Sequence, residues 1–150
     1  MNAKSLIFWA TGFLGIMFVY FILNPSYEKS LEAKYFYEIG DYKEAYIRAN
    51  DAFAQDQYNR MASTIMAQSK IAMKYKSYIE QAKEYMKEIN VLAMKDQIVD
   101  ADRAKIKLMS EIMIDSYKKL APSVITDLEL VEEAKKYYKS FESLLEKVTR

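Results

Sequence analysis

Cysteine and histidine are both absent from this chain. Their absence removes disulfides, thiol nucleophiles, imidazole general bases and the usual zinc sites. Glycine is scarce. Only Gly12, Gly15 and Gly40 occur, which is too few and too scattered for a phosphate-cradling loop. Two prolines, Pro25 and Pro122, join them, and together they cannot supply the turns of an all-β fold. An excess of either charge is also missing. With 22 basic and 21 acidic residues the formal charge is +1, and no basic patch marks the chain for nucleic acid. Carboxylates are plentiful, but Glu80, Glu84 and Glu88 interleave with Lys83 and Lys87 at helical spacing, the pattern of ion pairs on a wet face. Asp96, Asp100 and Asp102 lack the spacing and closing glutamate of a calcium loop and read as linker and cap residues. No catalytic set, metal site or cofactor is expected, and the chain does not read as an enzyme.

What is present begins with residues 5–23, SLIFWATGFLGIMFVYFIL, nineteen residues without a charge. As a helix this run is about 28 Å long, close to the hydrocarbon thickness of a bilayer. It exceeds the apolar core of a secretory signal, and its exit, Phe21-Ile22-Leu23-Asn24-Pro25-Ser26, has no small-residue cleavage pattern. The expectation is a short tail and transmembrane anchor over 1–24, with one helical domain over 25–150. Trp9 and Tyr20 sit near the two ends, where aromatic rings favour the headgroup zone. Thr11, Gly12 and Gly15 place small residues on one face, where a second membrane helix could pack closely. Lysines on the two flanks nearly balance, so charge does not set the orientation. A very short tail before a long domain is the layout of a signal anchor. It implies a single-pass protein of the inner (cytoplasmic) membrane with a periplasmic or exoplasmic domain. A cytoplasmic-facing domain is the alternative.

Beyond the anchor, Lys, Glu, Ala, Met, Ile and Tyr dominate and favour helix. Asn24 and Pro25 form an N-cap and first-turn pair, and a helix is predicted over 26–39. Gly40 stops it in the left-handed conformation. Asp41 with Glu44 makes a capping box for a helix over 42–54. Asp56 is predicted to cap a third helix over 57–75, with Tyr58, Met61, Ala62, Ile65, Ser69 and Ala72 facing inward. Ser77 with Glu80 would open a fourth over 78–94, on a stripe of Tyr78, Ala82, Tyr85, Met86, Ile89 and Leu92. A fifth starts at Asp100 or Asp102 and ends near Leu120. Thr126 with Glu129 would box a sixth, ending near Val148, whose seam is Val131, Ala134, Tyr138, Phe141, Leu145 and Val148. The fold class is all-α: an N-terminal transmembrane helix, then about six helices in three antiparallel hairpins. A compact bundle of other connectivity is the alternative. Most of the thirteen tyrosines, and Met61, Met66, Met73, Met86, Met94, Met109 and Met113, are read as core filling.

Residues 33–45, AKYFYEIGDYKEA, resemble the middle of a tetratricopeptide repeat. Ala33 matches the small position of the first helix and Phe36 its aromatic. Gly40, Tyr42 and Ala45 match the turn and second helix, and Ala49 and Ala52 continue the small-residue seam. The likeness spans residues 27–57, with Gln57 where the family carries proline. Tyr78 and Ala82 echo Tyr42 and Ala45 further along. The resemblance implies a stack of helix pairs whose inner wall holds a segment of another protein. By analogy that wall contains Lys34, Tyr37 and Glu38, with Lys70 and Met73 from the next pair. It implies a membrane-anchored interaction module, a scaffold or assembly subunit of an envelope complex such as a secretion, pilus or motility machine. The alternative is a membrane-tethered chaperone for translocated or newly folded proteins. The partners expected are other proteins and a membrane, not nucleic acid.

Overall fold

The structure, a computed structural model, describes residues 3–149. Six α-helices and no strand occur among them: α1 (Ala3–Leu23), α2 (Pro25–Glu38), α3 (Tyr42–Gln55), α4 (Arg60–Ala93), α5 (Asp100–Lys118) and α6 (Leu128–Thr149). The contacts divide into two compact units, one ending at Lys70 and one beginning at Ile71.

In the first unit, Asn24 caps α2 by accepting the Ser26 N–H at 3.0 Å, and Pro25 occupies the first turn as expected. Gly40 then stops α2 at φ +78°. The Asp41 N–H reaches the Phe36 carbonyl at 2.9 Å and the Gly40 N–H reaches that of Tyr37 at 3.1 Å. These two hydrogen bonds satisfy carbonyls the helix end would otherwise orphan. Asp41 caps α3 by accepting the Glu44 N–H at 3.1 Å. The Glu44 carboxylate turns to Arg48. Ala33, Ala45 and Ala49 are fully buried with Ile65 of α4. Their small size lets α2 and α3 approach closely.

Every described side chain of α1 from Lys4 to Tyr20 is exposed. Trp9 and Phe13 keep 70% and 65% of their surface. No Cβ built on Gly12 or Gly15 would meet a neighbour, and the Thr11 hydroxyl donates to the Ile7 carbonyl at 2.8 Å. Among the described residues no single helix is long and apolar enough to cross a membrane. The stretch Lys4–Tyr20 passes that test only together with Pro25–Glu38, across a 74° bend. That second arm carries Glu28, Lys29, Glu32, Lys34 and Glu38. A charged residue costs about 3 kcal/mol at bilayer depth, so the bent pair is a poor span.

The largest departure from expectation is α4. The two helices predicted over 57–75 and 78–94 are one helix of 34 residues. No glycine or proline interrupts it, and its buried positions continue in phase through Ala72, Tyr75, Ile79 and Ala82. Ser77 therefore sits mid-helix and caps nothing. Five helices follow α1 rather than six, and the three hairpins become two, α2–α3 and α5–α6, with α4 between them in sequence. The start of α4 also differs. Asp56 ends α3 and accepts the Tyr58 N–H at 2.9 Å, while Tyr58 is 92% exposed rather than inward. The residue that caps α4 is Asn59, whose Oδ1 accepts the Ala62 N–H at 3.1 Å.

In the second unit, Tyr75, Tyr78, Ile79, Ala82, Ile89 and Leu92 of α4 meet Ile106, Met109 and Met113 of α5 and Ala134 and Phe141 of α6. Of the expected α6 seam, Ala134 and Phe141 are buried and Val131 and Val148 half-buried in this core, but Tyr137 and Leu144 pack against it in place of the expected Tyr138 and Leu145. Its cap is Asp127, which accepts the Glu129 N–H at 2.9 Å. Thr126 instead accepts from the Ser123 N–H at 2.8 Å and closes the preceding turn. The expected wet-face pairs of α4 reach across helices: Lys83 bonds Glu133 of α6 at 2.9 Å and Glu88 bonds Lys105 of α5. At the start of α5, Asp102 accepts from Lys95 at 2.7 Å and from the Val99 N–H at 3.4 Å. The Lys95 bond first, and the backbone bond after it, hold its carboxyl below the usual range.

Candidate functional site

On α2, positions 34, 37 and 38 share one face by helical periodicity. Across from them, α4 presents Arg60, Met61, Thr64, Ile65 and Gln68, again spaced by three and four. The two faces enclose an open groove of about 490 Å³ lined by Lys34, Tyr37, Glu38 and those five residues. Thus the three residues nominated on the first helix converge on one cavity. Lys70 is exposed in the first unit and Met73 is half-buried in the second, and neither lines the groove. Of the α4 wall, sequence periodicity places Met61 and Ile65 on the inward stripe and does not nominate Arg60, Thr64 or Gln68, because it names a face without naming what lies across from it.

The walls are held from behind. Asn59 is fully buried, and its Nδ2 donates to the Ser26 carbonyl at 3.2 Å and the Ser26 hydroxyl at 2.9 Å, and lies 3.3 Å from the Ser30 hydroxyl. Ser26 in turn donates to the Ala52 carbonyl at 2.8 Å. One amide therefore ties the N-terminus of α4 to α2, and through Ser26 to α3. Tyr37 packs edge-on to Tyr42, ring centroids 5.2 Å apart. Arg48 of α3 bonds Glu44 at 2.8 Å and Glu32 of α2 at 3.2 Å, and lies 5.9 Å over the Phe36 ring. The Glu44 bond, aided by the charges of Glu32 and Asp51, raises its already high pKa.

The groove floor is apolar, formed by Tyr37, Met61 and Ile65. Its rim is polar. Lys34 and Glu38 lie 3.7 Å apart across the groove's α2 edge, while Arg60 carries a positive charge on the α4 edge. An apolar floor with spaced polar rim groups suits a side chain of a peptide segment. Among the described residues no cluster of three or more acidic side chains is arranged to hold a metal. Thr11, Gly12 and Gly15 lie on one open face of α1, and Ala33, Phe36, Tyr42, Ala45, Ala49 and Ala52 pack the α2–α3 pair around the Gly40 turn. No family model matches the chain, and neither a curated protein nor a solved structure matches it.

Proposed function

We propose that this chain is a membrane-anchored protein–protein interaction module, a scaffold or assembly subunit of a bacterial-type envelope complex. The observation that carries the reading is the groove in which Lys34, Tyr37 and Glu38 meet Arg60, Met61 and Ile65. The tetratricopeptide likeness of residues 27–57 supports it, since that family presents partner segments to the corresponding helix face. The anchor is α1. Its support is the uncharged sequence of residues 5–23, which lies within the helix Ala3–Leu23, although the described stretch Lys4–Tyr20 does not make a span by itself. The uncovered small-residue face of Thr11, Gly12 and Gly15 is the surface for a second membrane helix. Tethering raises the effective concentration of the groove for any partner in the same membrane. The chain is placed in the inner membrane, with the helical part on the periplasmic or exoplasmic side.

A photo-crosslinker at Thr64, in cells carrying the full chain, tests the groove. A scaffold yields one partner in constant ratio, and Tyr37→Ala or Lys34→Ala in a folded variant reduces the yield. Equal recovery from those variants would remove the groove from the argument. Capture of many unrelated chains would favour a membrane-tethered chaperone, a reading supported by Met61 in the groove floor. Protease added to sealed right-side-out vesicles should cut the helical part; protection there and cleavage only from the cytoplasmic face would place it on the other side.

A further inference from the structure

In the second unit a groove of about 480 Å³ runs between the C-terminal part of α4 and α6. Three lysines of α6, Lys136, Lys139 and Lys147, line it, and no carboxylate does. None of the three is ion-paired among the described residues. Near Lys136 and Lys139, Glu133 bonds Lys83 and Glu142 bonds the Tyr138 hydroxyl, and Glu146, next to Lys147 in sequence, does not line the groove. Between the lysines the floor is apolar, made by Met86 and Ile89 of α4 and Leu144 of α6. Asn90 and Ser143 add hydrogen-bonding groups at the edge. On a chain of net charge +1, this concentration of one sign over an apolar floor is local.

We infer that this groove docks an acidic amphipathic helical segment of a partner protein. The arrangement of charge selects that occupant. Along the α6 axis the first and last lysines are about 16 Å apart, the rise of three helical turns. A single phosphate or lipid headgroup reaches ammonium groups that converge on one point, and these are strung out. An acidic helix meets them with carboxylates on one face and lays apolar residues from the same face onto Met86, Ile89 and Leu144. No aromatic ring lines the groove to stack a base, which disfavours single-stranded nucleic acid. Lys136 and Lys139 are neighbours on one helix face, so a bound anion also relieves their mutual repulsion. The inference shares no residue with the groove at Lys34 and Tyr37 and stands if that one fails.

The test uses the full chain in nanodiscs of neutral lipid and a labelled synthetic helix of three turns. Its probe face carries glutamates at both ends and leucines between them, and binding is read by fluorescence anisotropy. Binding is expected, and it should weaken as salt is raised. The joint variant Lys136→Glu, Lys139→Glu, Lys147→Glu should weaken it about tenfold or more. Lys135→Glu, on α6 but outside the groove, should leave it unchanged. A counterpart with lysine for glutamate should not bind, and one with serine for leucine should bind less well. Absence of binding by the acidic helix overturns the inference. So does binding that survives the triple change in a variant with unaltered circular dichroism, or binding indifferent to the leucines. Lysine-dependent attachment to vesicles of anionic phospholipid, without peptide binding, would assign the groove to lipid and equally overturn it.

Discussion

Asn59 shows how much one buried amide can organise. It caps α4 through Oδ1 and holds Ser26 of α2 through Nδ2, with no exposed surface. Asn59→Ala strands the Ala62 N–H and removes the donor to Ser26, so it should cost about 2–3 kcal/mol. Hydrogen exchange at the amides of residues 60–66 should accelerate accordingly; protection equal to the parent's would show that the network is not structural. Tyr78 is the opposite case. Its hydroxyl is buried without a hydrogen-bond partner among the described residues, beside Tyr117 at 5.8 Å. Tyr78→Phe removes a polar group that gains nothing from burial, and should leave stability unchanged or raise it by up to about 1 kcal/mol. Burial first, and then the neighbouring Tyr117 and Tyr138, raise the pKa of this phenol. An unfolded tyrosine ionises near pH 10, roughly, so the native state loses stability as pH climbs above that value. The alkaline loss should be shallower in Tyr78→Phe, and urea midpoints between pH 8 and 11, roughly, measure it. Parallel curves for the two proteins would reject burial of the phenol as the cause.

At the scale of elements, helix ends written by a local residue were legible and ends that need a missing breaker were not. Gly40 at φ +78° has open space around its missing Cβ, so only backbone strain, not crowding, demands glycine there. Asn24-Pro25 and Asp41 acted as local signals should. Ser77-x-x-Glu80 had the same lettering as a capping box, yet α4 runs through it. The apolar stripe on both sides is in phase, and packing of Tyr75, Tyr78 and Ile79 outweighs a cap of about 1 kcal/mol. The sign of one substitution separates the cases. Within a helix, Ser77→Ala should stabilise by about 0.5 kcal/mol, whereas at a cap it would cost about 1 kcal/mol. Ser77→Pro should cost about 3 kcal/mol or more. Thermal unfolding of the two variants in parallel reads both effects, and destabilisation by alanine would restore the two-helix description.

For the whole molecule, the contrast is between α1, exposed on every described side, and two units that bury small and aromatic residues behind charged faces. A chain lacking residues 1–24 should leave the membrane pellet under an alkaline carbonate wash, while the full chain should stay. Extraction of the full chain by that wash would dismiss the anchor, and retention of the truncated chain would place the membrane contact elsewhere. The division at Lys70 and Ile71 falls inside α4, where no change of composition announces it. It arises because the alanine-rich core of the first unit and the tyrosine- and methionine-rich core of the second gather different partners along the same helix.

Composition and local pattern alone determined the helical class, the apolar N-terminal run, the Gly40 turn and the face on which Lys34, Tyr37 and Glu38 lie together. Each depends on residues within a turn or two of one another. Tertiary structure decided that α4 is continuous and that Asn59 rather than Asp56 begins it. It also decided that the two grooves have the walls they do. Those outcomes turn on which side chains meet from distant parts of the chain, and helical periodicity names a face without naming what faces it.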